Sequence, residues 1–250
     1  MEKESIIRNS IQFKVYGNLA LFSDPITRVG GEKSSYHLPT YEAMLGICEA
    51  IYWKPTIIWI IDKVRVMKPI QTQTKSIKLR KYNSNQNDLA TFTYLYDVEY
   101  HVSAHFEWNL ARQDLSNDRD ENKHHNLAKR YLNKGGKRDA YLGTRECFAY
   151  IEPCDFDEGI GFYDCIEEIR FGKMFHSFSY PKSENETNLY ANLWDAILKR
   201  GVISFCKPNE CTIKRKVKDY YYTKIEISPK REEYEQEVLN ELDNTIKSSL

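Results

Sequence analysis

Val98-Glu99-Tyr100-His101-Val102-Ser103-Ala104-His105-Phe106-Glu107-Trp108 decides the fold class, because its apolar and polar residues alternate one by one. A period of two belongs to a half-buried strand, not to a helix. His101 and His105 would look like a metal pair if they stood one helical turn apart. On a strand, residues four apart are separated by roughly 13 Å, too far to share one ion unaided. They are expected as solvated strand histidines.

Working outward, the stretch from Thr56 to Met67 is rich in β-branched residues and reads as a buried strand. Before it, Thr40 can cap a helix whose Met44, Leu45, Ile47, Cys48, Ile51 and Tyr52 recur at helical spacing, ended by Lys54-Pro55. Earlier still, Ile11, Phe13 and Val15 alternate with Gln12, Lys14 and Tyr16 as a first strand. Beyond the central strand, Asn122 can cap a second helix carrying Leu127, Ala128, Tyr131 and Leu132, stopped by Gly135-Gly136. Strand signals return around Cys147 to Ile151. The order βαββαβ predicts an α+β protein with a ferredoxin-like (RRM-like) N-terminal domain over residues 1–152.

From Pro153 the pattern changes to short alternating segments: Met174, His176, Phe178 and Tyr180, then Val202 to Phe205, then Lys224 to Ile227. This predicts a β-rich C-terminal subdomain over 153–250. It ends in a charged helix, with Tyr234, Val238, Leu242 and Ile246 at helical spacing.

The 250 residues balance 36 Lys+Arg against 36 Asp+Glu, with 41% hydrophobic and 29% charged residues, an ordinary globular mixture. The longest apolar run, Ile57 to Ile61, falls far short of the ~20 residues of a spanning helix, and the first residues lack a signal-peptide pattern. The expectation is a cytoplasmic protein with no membrane partner. The six cysteines lack the Cys-x-x-Cys pairs of common zinc sites, so reduced thiols and no metal or other cofactor are expected.

Net neutrality conceals segregation. Lys63, Arg65, Lys68, Lys75, Lys78, Arg80 and Lys81 stand in a stretch without an acid. Lys123, Lys129, Arg130, Lys134, Lys137, Arg138 and Arg145 face only Asp139. Two basic blocks interleaved with Tyr82, Tyr131 and Tyr141 point to a polyanion.

Chemistry concentrates at Asn122-Lys123-His124-His125. With Asn122 as cap, Lys123 and His124 occupy a helix's first turn, where free N–H groups and the macrodipole favour an anion. RNA cleavage without a metal needs the neighbouring 2′-hydroxyl, a base, charge stabilisation and alignment. A lysine, a histidine and a phenol supply these, and Tyr52 is the natural phenol. Surface Lys-His pairs are common, however, and Tyr52 could equally be a packing residue beside Ile51 and Trp53. Lys134-Gly135-Gly136-Lys137-Arg138 resembles a phosphate-cradling loop without the Walker spacing.

Longer motifs narrow the reading. Phe22-Ser23-Asp24-Pro25, Thr27-Arg28-Val29-Gly30-Gly31-Glu32-Lys33, Pro39-Thr40-Tyr41, Ile51-Tyr52-Trp53-Lys54-Pro55-Thr56 and Arg65-Val66-Met67-Lys68-Pro69-Ile70 follow in order. Gly135-Gly136-Lys137-Arg138-Asp139, Leu142-Gly143-Thr144-Arg145-Glu146-Cys147 and Glu152-Pro153-Cys154 continue them. Together they resemble the subtype I-C CRISPR-associated proteins of the fifth Cas family, subtype d, in the repeat-associated RNA-binding superfamily.

The resemblance implies a metal-independent endoribonuclease that binds the repeat hairpin of CRISPR precursor RNA. It would cut at the hairpin's 3′ base, leaving a 5′-hydroxyl and a 2′,3′-cyclic phosphate. It implies Tyr52, Lys123 and His124 as catalytic residues, with His125 where relatives often carry an aromatic side chain. It also implies that the chain stays with the mature guide RNA among other subunits of the type I-C interference complex. Joined to the charge pattern, it gives Lys54, Lys75, Lys78, Arg80, Gly135, Gly136, Lys137, Arg138 and Arg145 as RNA-binding positions. The main alternative is a non-catalytic subunit that grips the guide's 5′ tag. A metal-dependent nuclease would have to draw on Asp114, Asp118, Asp120 and Glu121, which lack a clear ligand spacing.

Overall fold

The structure, a computed structural model, describes residues 8–25, 27, 32–80, 86–181 and 186–221. The expected terminal helix, the Lys224 to Ile227 strand and Tyr82 lie outside the described residues. It is a mixed α and β protein, mostly antiparallel sheet with few helices.

Strand β1 (Ser10–Ala20) buries Ile11, Phe13 and Val15 and turns Gln12, Lys14 and Tyr16 outward, as alternation dictates. A short β2 (Lys33–Ser34) leads to helix α1 (Tyr41–Ile51). Thr40 is its N-cap, its hydroxyl accepting from the Ala43 N–H at 3.3 Å. Met44, Ile47, Cys48 and Ile51 form the buried face. β3 (Ile57–Val66) pairs antiparallel with β5 (Asn87–Trp108), and β1 lies on β5's other side in register Phe13↔Val102 and Val15↔Tyr100. Helix α2 (Glu121–Leu132) buries Ala128 and Leu132. After β6 (Ala140–Tyr141), β7 (Phe148–Pro153) joins the free edge of β1.

The strand order β3-β5-β1-β7 therefore interleaves early and late strands, and both helices pack into one cluster around Phe13, Val102, Trp59 and Tyr100. Beyond β3 the same sheet continues through β10 (Val202–Ser204) and β9 (Asn188–Lys199), and β9 pairs with β8 (Glu168–Ser179). By packing, the described residues within 8–179, together with 190–217, form one compact unit. The described residues of the second are 180–181, 186–189 and 218–221. Within the second, Tyr220 donates its N–H to the Thr187 carbonyl at 3.0 Å and meets Tyr180 edge-on at 5.6 Å.

Three local expectations are corrected. β5 begins at Asn87, not Val98, and pairs with β4 (Thr72–Arg80) over Thr72↔Leu95 to Arg80↔Asn87. β4 is exposed at every position, and its only apolar residues, Ile77 and Leu79, give too short an alternation to read as a strand. His101 is not solvated: it is 4% exposed, with its Nδ1 3.2 Å from the Phe156 carbonyl, because residues after β7 cover the second face of β5. His105 is only partly exposed, and its Nδ1 lies 2.9 Å from Asp62.

The hydrogen bond His105 donates to the Asp62 carboxylate, opposed by burial and helped by the charges of Asp62 and Glu107, raises the His105 pKa above 6.5. A raised histidine pKa contributes stability that is complete below the unfolded value and lost as pH rises through the folded one. Wild type should therefore be more stable than Asp62→Asn near pH 5.5, and the gap should narrow by about pH 8.5. Urea midpoints across that range check this; a gap independent of pH would contradict it.

Candidate active site

The end of α1 sets the position of Tyr52. Its N–H donates to the Cys48 carbonyl at 3.0 Å while its backbone turns extended (φ −158°, ψ 126°), so the chain leaves the helix at that residue. Trp59 Nε1 donates to the Tyr52 carbonyl at 2.7 Å and pins the backbone from β3. The phenol ring stacks on Tyr131 of α2, centroids 6.0 Å apart and planes 14° apart.

α2 is capped by Asp120, not Asn122; the Asp120 carboxylate accepts from the Lys123 N–H at 3.1 Å, and its carbonyl accepts from the His124 N–H at 3.1 Å. The two N–H groups expected to hold an anion are thus already bonded, because the helix starts two residues earlier than the asparagine suggests. Lys123 and His124 still stand together on the first turns, with Lys123 exposed and His124 fully buried.

Tyr52 and His124, 72 positions apart in sequence, meet: the phenol oxygen lies 2.8 Å from His124 Nδ1. His124 Nε2 lies 2.8 Å from the Asp118 carbonyl, which can only accept, so Nε2 carries a proton. In the neutral ring Nδ1 is then the acceptor, and Tyr52 donates to it. Trp108 and Phe106 meet the imidazole edge-on at 5.6 and 6.2 Å and close off its remaining sides. Burial first, then the negative charge of Asp118 and the neighbouring Tyr131, pushes the Tyr52 pKa up to about 12. Tyr52 is a protonated phenol at neutral pH.

Asp118 closes the 3-10 helix Gln113–Asp118 and joins the cluster. Its carboxylate accepts from Lys123 Nζ at 2.5 Å and Thr56 Oγ1 at 2.7 Å, and it sits 3.4 Å from His124 Nε2. Burial opposes its charge, but the bonds from Lys123 and Thr56 prevail and hold its pKa below the carboxylate value of 3.8. From the sequence Asp118 reads only as a candidate metal ligand. No spacing rule connects it to Thr56, 62 positions away. Its neighbours in that acidic run go elsewhere: Asp114 pairs with Arg112, Asp120 caps α2, and Glu121 accepts from the Arg8 N–H. His125 faces Lys129, Arg8 and Glu121; burial first, then the two cations, lowers its pKa, and His124 is the histidine beside Tyr52.

The glycine loop abuts this site. Gly135 and Gly136 take φ of 81° and 114°, and a Cβ on Gly136 would come 3.1 Å from the Arg138 carbonyl. The turn lets the Lys137 and Arg138 N–H groups reach the Ala50 carbonyl at 3.0 Å, capping α1. Those amides are spent on the helix and are not open to phosphate. The side chains remain: Lys137 Nζ lies 5.8 Å from the Tyr131 ring centre, and Arg138 lines an open hollow with Arg145, Tyr141 and Gly46. Lys54 is exposed next to the Tyr52 turn. Lys75, Lys78 and Arg80 are exposed on β4, and the Lys75 charge acts on Cys147, beside Arg145. Arg65 is different: it is 8% exposed, bonded to Asp164 at 2.6 Å and to the Gly159 carbonyl at 3.1 Å, so that member of the first basic block is structural.

A family model described as CRISPR-associated protein (Cas_Cas5), of the Cas5d type, matches residues 10–206. The chain is 28% identical over 222 residues to the CRISPR pre-crRNA endoribonuclease Cas5d of Mannheimia succiniciproducens, covering 78% of this chain and 94% of the relative. It is 30% identical over 154 residues to the protein of the same name from Thermus thermophilus, covering 58% and 64%. Among solved structures it is similar to one titled as a CRISPR-associated protein, at 34% identity and a TM-score of 0.69 over 82% of this chain and 96% of that one. It is also similar to a functionally uncharacterised protein from Streptococcus mutans, at 36% identity and a TM-score of 0.70 with the same coverage.

Asp118 stabilises this cluster in a way acid should undo. Asp118→Ala leaves the buried Thr56 hydroxyl without its acceptor and should cost roughly 1–3 kcal/mol at neutral pH, measured by urea unfolding. Because the folded carboxyl titrates below 3.8, that advantage is present above the unfolded value and disappears as pH falls through the folded one. An equally stable variant at neutral pH would contradict it.

Proposed function

Because the chain belongs to the Cas5d family of CRISPR-associated proteins, we propose that it is an endoribonuclease that binds the repeat hairpin of CRISPR precursor RNA and cuts at the hairpin's 3′ base. The observation that carries this reading is the 2.8 Å contact between Tyr52 and His124, with the Lys123 ammonium on the adjacent position. The strand order β3-β5-β1-β7 with α1 and α2 is read as a ferredoxin-like βαββαβ frame, and residues 1–152 as the module that binds and cuts.

In the reaction the 2′-oxygen bonds to phosphorus, the bond from phosphorus to the 5′-oxygen breaks, the 2′-hydroxyl loses its proton and the 5′-oxygen gains one. Products are a 2′,3′-cyclic phosphate and a 5′-hydroxyl. Tyr52 and His124 act as one proton-handling pair: the only free lone pair of the neutral imidazole points at the phenol, so a proton reaching His124 passes through or beside Tyr52. Asp118, 3.4 Å away, stabilises the imidazolium that results. Lys123 neutralises the crowded phosphorane. The scissile phosphate competes with the Asp118 carboxylate for the Lys123 ammonium, so RNA entry opens the cluster that is closed in the free protein.

The duplex lies along Lys54, Lys137, Arg138, Arg145, Lys75, Lys78 and Arg80, recognised through phosphates and shape. The chain works in the cytoplasm. It stays with the mature guide RNA among other subunits of a type I-C interference complex, without a membrane; no helix among the described residues is long and apolar enough to cross one.

Tyr52→Phe keeps the ring and its stack on Tyr131 but removes the donor to Nδ1, so cleavage should fall about 10²–10⁴-fold with hairpin affinity unchanged. Wild type should cut repeat RNA in EDTA and leave RNA with a 2′-deoxy group at the attacking nucleotide intact. Loss of cutting in EDTA while the chain stays folded by circular dichroism would support a metal-dependent nuclease, and tight binding with no cutting would support the guide-gripping subunit.

A further inference from the structure

Away from the Tyr52 cluster, three soft metal-ligating groups converge that RNA cleavage does not use. His176 comes from β8; Cys206 and Cys211 flank the short 3-10 turn Pro208–Glu210 that follows β10. Their ligand atoms all lie within 4.8 Å of one another, and this is the one such group of three among the described residues. We propose that His176, Cys206 and Cys211 bind a zinc ion that fastens β8 to the turn after β10.

The distances suit that ion. A tetrahedral zinc with Zn–S of about 2.3 Å and Zn–N of about 2.0 Å sets S···S near ~3.8 Å and S···N near ~3.6 Å. Here Cys206 Sγ is 3.7 Å from Cys211 Sγ and 3.9 Å from His176 Nε2. The sulfurs are thus spaced as two corners of a zinc tetrahedron, far beyond the ~2.05 Å of a disulfide. Two thiolates and an imidazole are a donor set that favours zinc over magnesium or calcium, and a water completes the fourth corner.

The surroundings hold the imidazole in place. Tyr41, the first residue of α1, stacks on it with centroids 4.4 Å apart, and Trp194 and Phe205 meet it edge-on at 5.7 and 5.8 Å. Its second nitrogen, Nδ1, lies 2.9 Å from Ser177 Oγ, which accepts from Asn192 Nδ2 at 3.0 Å. Both Ser177 and Asn192 are buried. This is the outer partner a ligating histidine requires: with zinc bound, Nδ1 carries the proton and donates it to Ser177. Without the ion, Nε2 bonds the Cys206 carbonyl 3.0 Å away. Binding therefore moves the ring proton from Nε2 to Nδ1 and releases one proton from each thiol. The four-residue gap between the cysteines, with the histidine 30 positions earlier, hides the set from a search for Cys-x-x-Cys pairs.

The test uses the full-length reduced chain. After dialysis against metal-free buffer, elemental analysis should find zinc at one ion per chain. Replacement by Co²⁺ should give thiolate-to-cobalt charge-transfer absorption and the visible bands of a tetrahedral ion. Cys206→Ser and Cys211→Ser should lose both signals, and Cys165→Ser, which changes an exposed thiol elsewhere, should keep them. Chelation should lower the thermal midpoint of wild type. A wild-type chain that retains no zinc and gives no cobalt bands would overturn the proposal even if the serine variants failed to fold. So would bands that persist in Cys206→Ser, or a mass showing Cys206 and Cys211 joined as a disulfide.

Discussion

The contact between the Tyr52 hydroxyl and His124 Nδ1 is the constraint on which the site depends. It can form only if the residue that leaves one helix and the first turns of another arrive at one point, and the sheet makes them do so. β1 sits between β5 and β7, α1 and α2 pack into the one core cluster with these strands, and the Tyr52–Tyr131 stack joins the two helices. The Trp59 and Gly136 anchors act on the backbone and not on the phenol or the imidazole. They determine where the phenol points, because a chain leaving α1 at any other angle would take it away from the imidazole.

Electrostatics then separates the roles. Burial keeps Tyr52 protonated, and the Asp118 carbonyl fixes which imidazole nitrogen is free to accept. Asp118 carries a second function through its carboxylate, which balances the Lys123 charge in the free protein. A closed cluster with an internal counter-ion avoids leaving a bare ammonium beside a buried imidazole.

The sequence carried much of this frame. Alternation from Val98 to Trp108, the Thr40 cap and the helical spacing from Met44 to Ile51 were legible because each is a local pattern with one physical cause. β4 was not, since it is exposed throughout and its two apolar residues, Ile77 and Leu79, are too few to mark a buried face. The α2 cap was misplaced because both Asp120 and Asn122 are good caps and only backbone geometry chooses between them. Tyr52, Lys123 and His124 were legible as chemical types and through motifs, but their convergence was not. Asp118, the covering of His101, the burial of Arg65 and the His176 cluster arise from contacts between residues dozens of positions apart, which periodicity does not encode.

The most direct measurement is a structure of the chain bound to a repeat hairpin made uncleavable by a 2′-deoxy group at the attacking nucleotide. The account places the scissile phosphate against the Lys123 ammonium, with the Asp118 carboxylate withdrawn and the Tyr52 hydroxyl and His124 ring beside the reacting oxygens. A scissile phosphate seated elsewhere, with Asp118 still on Lys123 and the phenol still sealed against the imidazole, would contradict it.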